Sequence, residues 1–147
     1  DSLLADPELR SETVGGLASR VSVHRAVRAA LHQRQVDFAQ QPGGAVLDGR
    51  DIGTVIAPHA DAKLFVTASV AARAERRYRE MQAQGRDVSR ADMTADLTAR
   101  DARDRTRKVA PLVAATDAAL LDTTERNAAS AIAEALRLVE MQLAAGG

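Results

Sequence analysis

An arginine and an aspartate stand side by side between glycines in the stretch Asp48-Gly-Arg-Asp-Ile-Gly-Thr54. The apolar run before them predicts a buried strand over residues 45–48, which would deliver both side chains at its carboxyl end. A guanidinium binds phosphate through two hydrogen bonds, and a carboxylate accepts a hydrogen bond from the amino group of a base. Arg50 and Asp51 are therefore a candidate nucleotide-reading pair. A tight turn with solvated charges is the alternative.

A second set of charged residues has helical spacing. Arg100, Arg103, Asp104 and Arg107 stand at i, i+3, i+4 and i+7, which places all four on one face of a helix. Three like charges with a single acid repel one another unless an anion joins them. A bound phosphate would satisfy them, and a solvated face with intrahelical pairs is the alternative.

The elements that must position these residues alternate between strands and helices. Further short apolar runs predict strands over residues 62–67 and 118–122. Ser69, Ser89 and Asn127 are predicted caps of the helices between and after them, and one or two helices precede the first strand. This order favours an α/β fold of one domain, with a parallel sheet flanked by helices. The predicted helices cover about residues 11–38, 69–85, 89–107 and 127–143.

Composition narrows the possible partners. The formal net charge is zero, aromatic residues make up 2% of the chain, and there is no cysteine. An arginine-rich RNA-binding protein would carry more basic charge and more stacking platforms, so we expect no nucleic-acid partner. No apolar run approaches the roughly 18 residues that span a bilayer, and the amino terminus lacks the pattern of a signal peptide. We therefore expect a cytoplasmic protein without a membrane partner.

Four stretches, in this order and spacing, resemble the bacterial cytidylate kinase family. They are Gly49-Arg-Asp-Ile-Gly-Thr-Val55, Lys63-Leu-Phe-Val-Thr-Ala-Ser69 before an arginine-rich helix, Arg100-Asp-Ala-Arg-Asp-Arg-Thr-Arg107 followed by Ala110-Pro-Leu112, and Asp117 through Leu121-Asp-Thr-Thr124. The resemblance implies an enzyme with the P-loop nucleoside monophosphate kinase fold. It would transfer the terminal phosphoryl group of ATP to CMP or dCMP with Mg²⁺, giving CDP or dCDP, and would be a monomer when full length.

The resemblance also assigns roles to individual residues. It implies Ser19, Arg28 and Asp51 at the cytosine ring, and Arg50 and Arg107 at the acceptor phosphate. It implies Arg100 and Asp104 near the ribose and its phosphate, and Asp48 as a carboxylate that holds magnesium through water. Arg76 and Arg77, with Arg73, would lie at the hinge of a lid over the donor phosphates. Of these, Arg50, Arg76, Arg77, Arg100 and Arg107 are the catalytic candidates. Ser19, Arg28, Asp51 and Asp104 are the candidates for substrate binding.

One part of the family pattern is missing from these residues. The loop G-x-x-x-x-G-K-[ST], which cradles the donor phosphates after the first strand, does not occur in the sequence. We therefore expect residues 1–41 to be the end of the acceptor-binding insertion with the helices that follow it. Residues 42–147 would be the remainder of the core domain, with a lid at about 73–100, and this chain alone would be inactive. A degenerate module that binds CMP without catalysis is the alternative.

Overall fold

Two apolar segments that the sequence predicts as strands pair with each other in the structure. The structure is a computed structural model that describes residue 9 and the ranges 12–106, 108 and 111–146. Strand β1, Leu64–Thr67, lies parallel to β2, Ala119–Asp122, with Leu64 opposite Ala119 and Thr67 opposite Asp122. The carboxyl ends of both strands therefore meet at one edge of the sheet. The prediction of an α/β fold with a parallel sheet is confirmed.

The helices flank this sheet and pack against one another. The described residues form helices α1 (Glu12–Val21), α2 (Arg25–Ala39), α3 (Val70–Ala83), α4 (Arg90–Thr106) and α5 (Ala128–Gly146), with a π-helical turn at Ile52–Ile56. Helix α5 packs on both strands, α3 packs along α4, and α1 contacts α4. The π-helical turn contacts α2 and places Ile56 in the interior.

Polar side chains begin the later helices, as their sequences predict. Ser69 Oγ accepts a hydrogen bond from the Ala72 amide at 3.1 Å, and Ser89 Oγ accepts one from the Ala91 amide at 3.2 Å. These oxygens satisfy amides that have no partner within the first turn of a helix. Gly85, with a φ of 71°, follows the end of α3 in the left-handed conformation that glycine adopts at low cost.

The predicted strand over residues 45–48 is wrong. No strand forms there among the described residues, and Val46 is 95% exposed. A strand requires a neighbour for its amide and carbonyl groups, and no described segment supplies that neighbour. Val66 and Leu120, whose side chains lie on opposite faces of the sheet, are 59% and 65% exposed, so the described residues cover neither face completely.

The length and apolar character of the helices bear on whether one of them could cross a membrane. In the ranges that the structure describes, no helix combines the length and the apolar character required to cross a membrane.

Candidate functional site

A buried carboxylate on α4 joins three parts of the chain. Asp104 is 3% exposed, and Arg50 Nε lies 3.2 Å from its Oδ2. Ser19 Oγ on α1 lies 3.4 Å from Oδ1, and Arg100 Nε lies 3.9 Å from Oδ2. The structure therefore brings together four predicted site residues, and we call this group the Asp104 cluster.

Arg100 has unused hydrogen-bonding capacity within this cluster. Its Nε is buried and has no hydrogen-bond partner among the described residues. A buried donor that stays unpaired costs roughly 1–3 kcal/mol. A Cβ built at Gly15 would lie 3.5 Å from Arg100 Nη1, so the guanidinium lies close against the backbone of α1. The Arg100 side chain as a whole is 31% exposed and lines the adjacent cleft, so an oxyanion there can bind its exposed N–H groups but not the buried Nε.

The second half of the site is an ion pair between α2 and the loop before the π-helical turn. Arg28 Nη2 donates to Asp51 Oδ2, and the two side chains are only 19% and 12% exposed. Asp51 immediately follows Arg50, so adjacent residues are each held by a different helix. The loop must also be narrow, because a Cβ at Gly49 would lie 2.8 Å from Ile52 Cγ1.

A cleft opens beside the Asp104 cluster, between α1 and α4. Its volume is about 460 Å³, and its walls come from Thr13, Gly16, Arg20, Asp96, Arg100 and Arg103. Three of these six residues are arginines, which gives the cleft the charge that suits an anion. Helical spacing predicts Arg103 as part of the charged face of α4, whereas no sequence pattern indicates Arg20.

Two predicted lid residues have protein partners. Arg76 donates to the carbonyl oxygen of Thr123 and lies 3.1 Å from that of Arg126, so it ties α3 to the segment after β2. Arg77 Nη1 lies 2.8 Å from Glu80 Oε2 on the same helix. The lid role of both residues stays a prediction. Arg107 lies outside the described residues, so its assignment also stays a prediction.

The residues fit a magnesium ion held through water. Asp48 is exposed and stands two positions before Arg50. Within the described ranges, no three His, Asp or Glu side chains are grouped so that they could enclose a metal. Magnesium bound with a nucleotide keeps several waters and uses one or two carboxylates together with phosphate oxygens. The exposed Asp48 carboxylate is compatible with this chemistry, and its magnesium role stays a prediction.

Sequence reasoning missed an ion pair that orients α4. Arg73 Nη1 lies 3.0 Å from Asp101 Oδ1, and Arg73 Nη2 lies 2.5 Å from Asp101 Oδ2. The hydrogen bonds and charge of Arg73, with the charges of Arg105 and Arg50, hold the pKa of Asp101 below its ordinary value despite partial burial. The pair fixes α4 against α3 one residue after Arg100. The alternation of arginine and aspartate along residues 100–105 was the signal for it.

Comparison with known proteins identifies the family of the chain. The family model described as "Cytidylate kinase" matches residues 4–141. The chain is 55% identical to a cytidylate kinase of Xanthobacter autotrophicus, over 98% of this chain and 70% of that protein. It is 53% identical to one of Cereibacter sphaeroides, over 97% of this chain and 69% of that protein. It is 52% identical to one of Caulobacter vibrioides, over 95% of this chain and 65% of that protein.

The chain thus spans about two thirds of the length of the curated relatives that it matches. The nucleoside monophosphate kinase fold that the motifs predict is consistent with the parallel sheet and its flanking helices. Because the family model covers most of the chain and these relatives are more than half identical across nearly all of it, the chain belongs to the cytidylate kinase family of phosphotransferases.

Proposed function

We propose that the gene product containing this chain transfers the terminal phosphoryl group of ATP to CMP or dCMP. One observation carries the proposal: Arg50 and Asp51 are consecutive, and Asp104 and Arg28 hold them from two different helices. The pair offers a cation to the acceptor phosphate and a carboxylate to the base. A carboxylate accepts from the exocyclic amine of cytosine, whereas uracil has a carbonyl at that position.

In the transfer, an oxygen of the acceptor phosphate attacks the terminal phosphorus of ATP. The bond from that phosphorus to the bridging oxygen breaks, and ADP leaves. The transition state is loose, so the protein mainly provides position and positive charge. Arg50 from the loop and Arg100 from α4 approach the acceptor phosphate from two sides, and Arg107 adds a third guanidinium. Ser19, Arg28 and Asp51 orient the base.

Asp48 would hold magnesium through water, and the ion would neutralise charge on the donor phosphates. Arg76 and Arg77 belong to a lid at about residues 73–100. Residues 1–41 are the end of the acceptor-binding insertion with its following helices, and residues 42–147 are the remainder of the core.

The gene product acts as a cytoplasmic monomer. The zero net charge and the scarcity of aromatic residues support the absence of a nucleic-acid partner.

A coupled assay of ADP formation from ATP tests the proposal, with CMP, dCMP and UMP as acceptors. Arg28→Ala should raise the KM for CMP at least about tenfold, because it removes a charged partner of the base-reading carboxylate. Arg34→Ala is the matched control, since this exposed arginine is on the same helix. Equal effects of the two variants would contradict the proposed site. CMP binding without ADP formation would favour the module that binds without catalysis.

The 147 residues alone should give no turnover, because they contain no loop of the form G-x-x-x-x-G-K-[ST]. The same assay on this purified chain tests that expectation. Turnover comparable to that of the gene product, with no contaminating kinase, would show that other residues cradle the donor phosphates.

A further inference from the structure

A lysine is buried beneath the loop that carries Asp51. Lys63 is 8% exposed, although lysine is almost never fully buried without a partner. Its Nζ lies 2.5 Å from the carbonyl oxygen of Pro58 and 2.5 Å from Asp117 Oδ2. The hydrogen bond from Lys63 holds the pKa of the exposed Asp117 below its ordinary value. The ammonium thus joins the chain after the π-helical turn to the segment before β2.

The carbon chain of Lys63 contacts the middle of the same turn. A Cβ built at Gly53 would lie 3.4 Å from Lys63 Cδ and 3.7 Å from the Cβ of Ala115. The backbone of the turn therefore rests on the lysine side chain. Lys63 therefore packs against the centre of the turn and hydrogen-bonds to Pro58, two residues beyond the end of the turn.

The beginning of the turn is Asp51. The Asp51 carbonyl accepts a hydrogen bond from the Val55 amide at 2.9 Å, and the Ile52 carbonyl accepts one from the Ala57 amide at 2.7 Å. These bonds connect the start of the turn to its end, which gives a displacement after the turn a direct route to Asp51. The Asp51 carboxylate, paired with Arg28, lies at that start.

The backbone of Lys63 is fixed independently of its side chain. Gln142 on α5 accepts from the Lys63 amide through Oε1 at 2.7 Å, and its Nε2 lies 3.2 Å from the Lys63 carbonyl oxygen. Gln142 Nε2 also lies 3.3 Å from the carbonyl oxygen of Asp117, but within the described part of the chain Gln142 makes no hydrogen bond to the π-helical turn. This separation provides a control for general loosening of the core.

We propose that Lys63 is a positioning residue for base choice: it supports the π-helical turn so that the Asp51 carboxylate stays where cytosine can donate to it. This inference rests on the proposed function. It predicts that loss of the ammonium weakens discrimination between CMP and UMP, and not merely the stability of the fold.

The test uses the gene product and measures dissociation constants for CMP and UMP by calorimetry, with thermal unfolding recorded for each variant. Lys63→Met keeps most of the carbon chain and removes the charge, so the ratio of the UMP constant to the CMP constant should fall about fivefold. Gln142→Met should lower the unfolding temperature but leave that ratio at its wild-type value. In an Asp51→Asn background, Lys63→Met should change the ratio no further, because both substitutions act on one contact.

An unchanged ratio in Lys63→Met, or an equal fall in Gln142→Met, would overturn the inference. If Lys63→Met does not fold, Lys63→Gln replaces it, since its amide still donates a hydrogen bond but is shorter and uncharged. In Lys63→Gln the ratio of the UMP to the CMP dissociation constant should fall about twofold, and a wild-type ratio would overturn the inference. A wild-type protein that binds neither nucleotide refutes the proposed function and this inference together. If wild type and the Lys63 variant prefer CMP over UMP to the same degree, only the inference is refuted.

Discussion

Replacing Asp104 by asparagine should destabilise the protein by about 2 kcal/mol. The carboxylate is 3% exposed and faces the guanidinium groups of Arg50 and Arg100. Removing one partner of a fully buried ion pair costs about 3–5 kcal/mol, and a surface pair contributes about 0–1 kcal/mol. Because the side chains of Arg50 and Arg100 are 36% and 31% exposed, water can partly replace the lost charge. The expected loss therefore lies between these limits.

Urea unfolding at pH 7 measures this loss, and CMP titration shows whether it reaches the site. The asparagine keeps the shape of the side chain, so the slope of the unfolding free energy against urea should not change. Asp92→Asn, at an exposed position in the first turn of the same helix and outside the cleft, is the control and should stay within about 0.5 kcal/mol of wild type. CMP affinity should fall at least fivefold in Asp104→Asn but not in the control variant. Arg50 loses its charged hydrogen-bond partner, an interaction of about 1–3 kcal/mol, and is no longer fixed in position. Wild-type stability in Asp104→Asn would refute the view that the buried carboxylate organises this cluster.

Three further predictions concern single residues. Asp51→Asn should lose about 1–3 kcal/mol of preference for CMP over UMP, measured as the ratio of kcat/KM values, because an amide can donate or accept; an unchanged ratio would assign Asp51 a structural role. The folded-state pKa of Asp101 lies below its unfolded value, so its pair with Arg73 stabilises the fold above about pH 4 and is lost as the pH falls through the folded pKa. The stability difference between wild type and Asp101→Asn should therefore be constant from pH 7 to pH 5 and shrink below pH 4, and a difference that grows in acid would contradict the assignment. Arg76→Ala should lower the free energy of unfolding by about 1–2 kcal/mol, because it leaves carbonyl groups unpaired. Arg79→Ala on the same helix is the control and should change the free energy of unfolding little. A loss of kcat in Arg76→Ala without a loss of stability would instead support the lid role.

The parts of the fold that the sequence predicted depend on local chemistry. Ser69 and Ser89 cap helices because a side-chain oxygen near an unpaired amide acts over a few residues. The strands at Leu64–Thr67 and Ala119–Asp122 are short apolar runs with partners in this chain. The segment at residues 45–48 has the same apolar character, but the structure describes no neighbour for it. Strand formation depends on that neighbour, which composition does not reveal.

The site was predicted mainly from spacing and from resemblance. Helical spacing placed Arg100 and Asp104 on one face, and the structure confirms that they lie together. Periodicity could not indicate that Ser19 and Arg50 converge on the same carboxylate, because those contacts join distant segments. Lys63 was missed, although a lysine at the start of an apolar strand was a visible signal. Its importance depends on Pro58 and Asp117, whose positions follow only from the tertiary structure.

The Asp104 cluster joins residues that are far apart in the order of synthesis. Ser19 and Asp104 are separated by 85 positions, and Lys63 and Gln142 by 79. A growing chain therefore contains α1, α2 and the loop with Arg50 before it contains the carboxylate around which they assemble. Contacts of such long sequence separation close large loops and form slowly. The Arg28–Asp51 pair can form early in synthesis, whereas the complete nucleotide site can form only on a chain whose synthesis has passed α4.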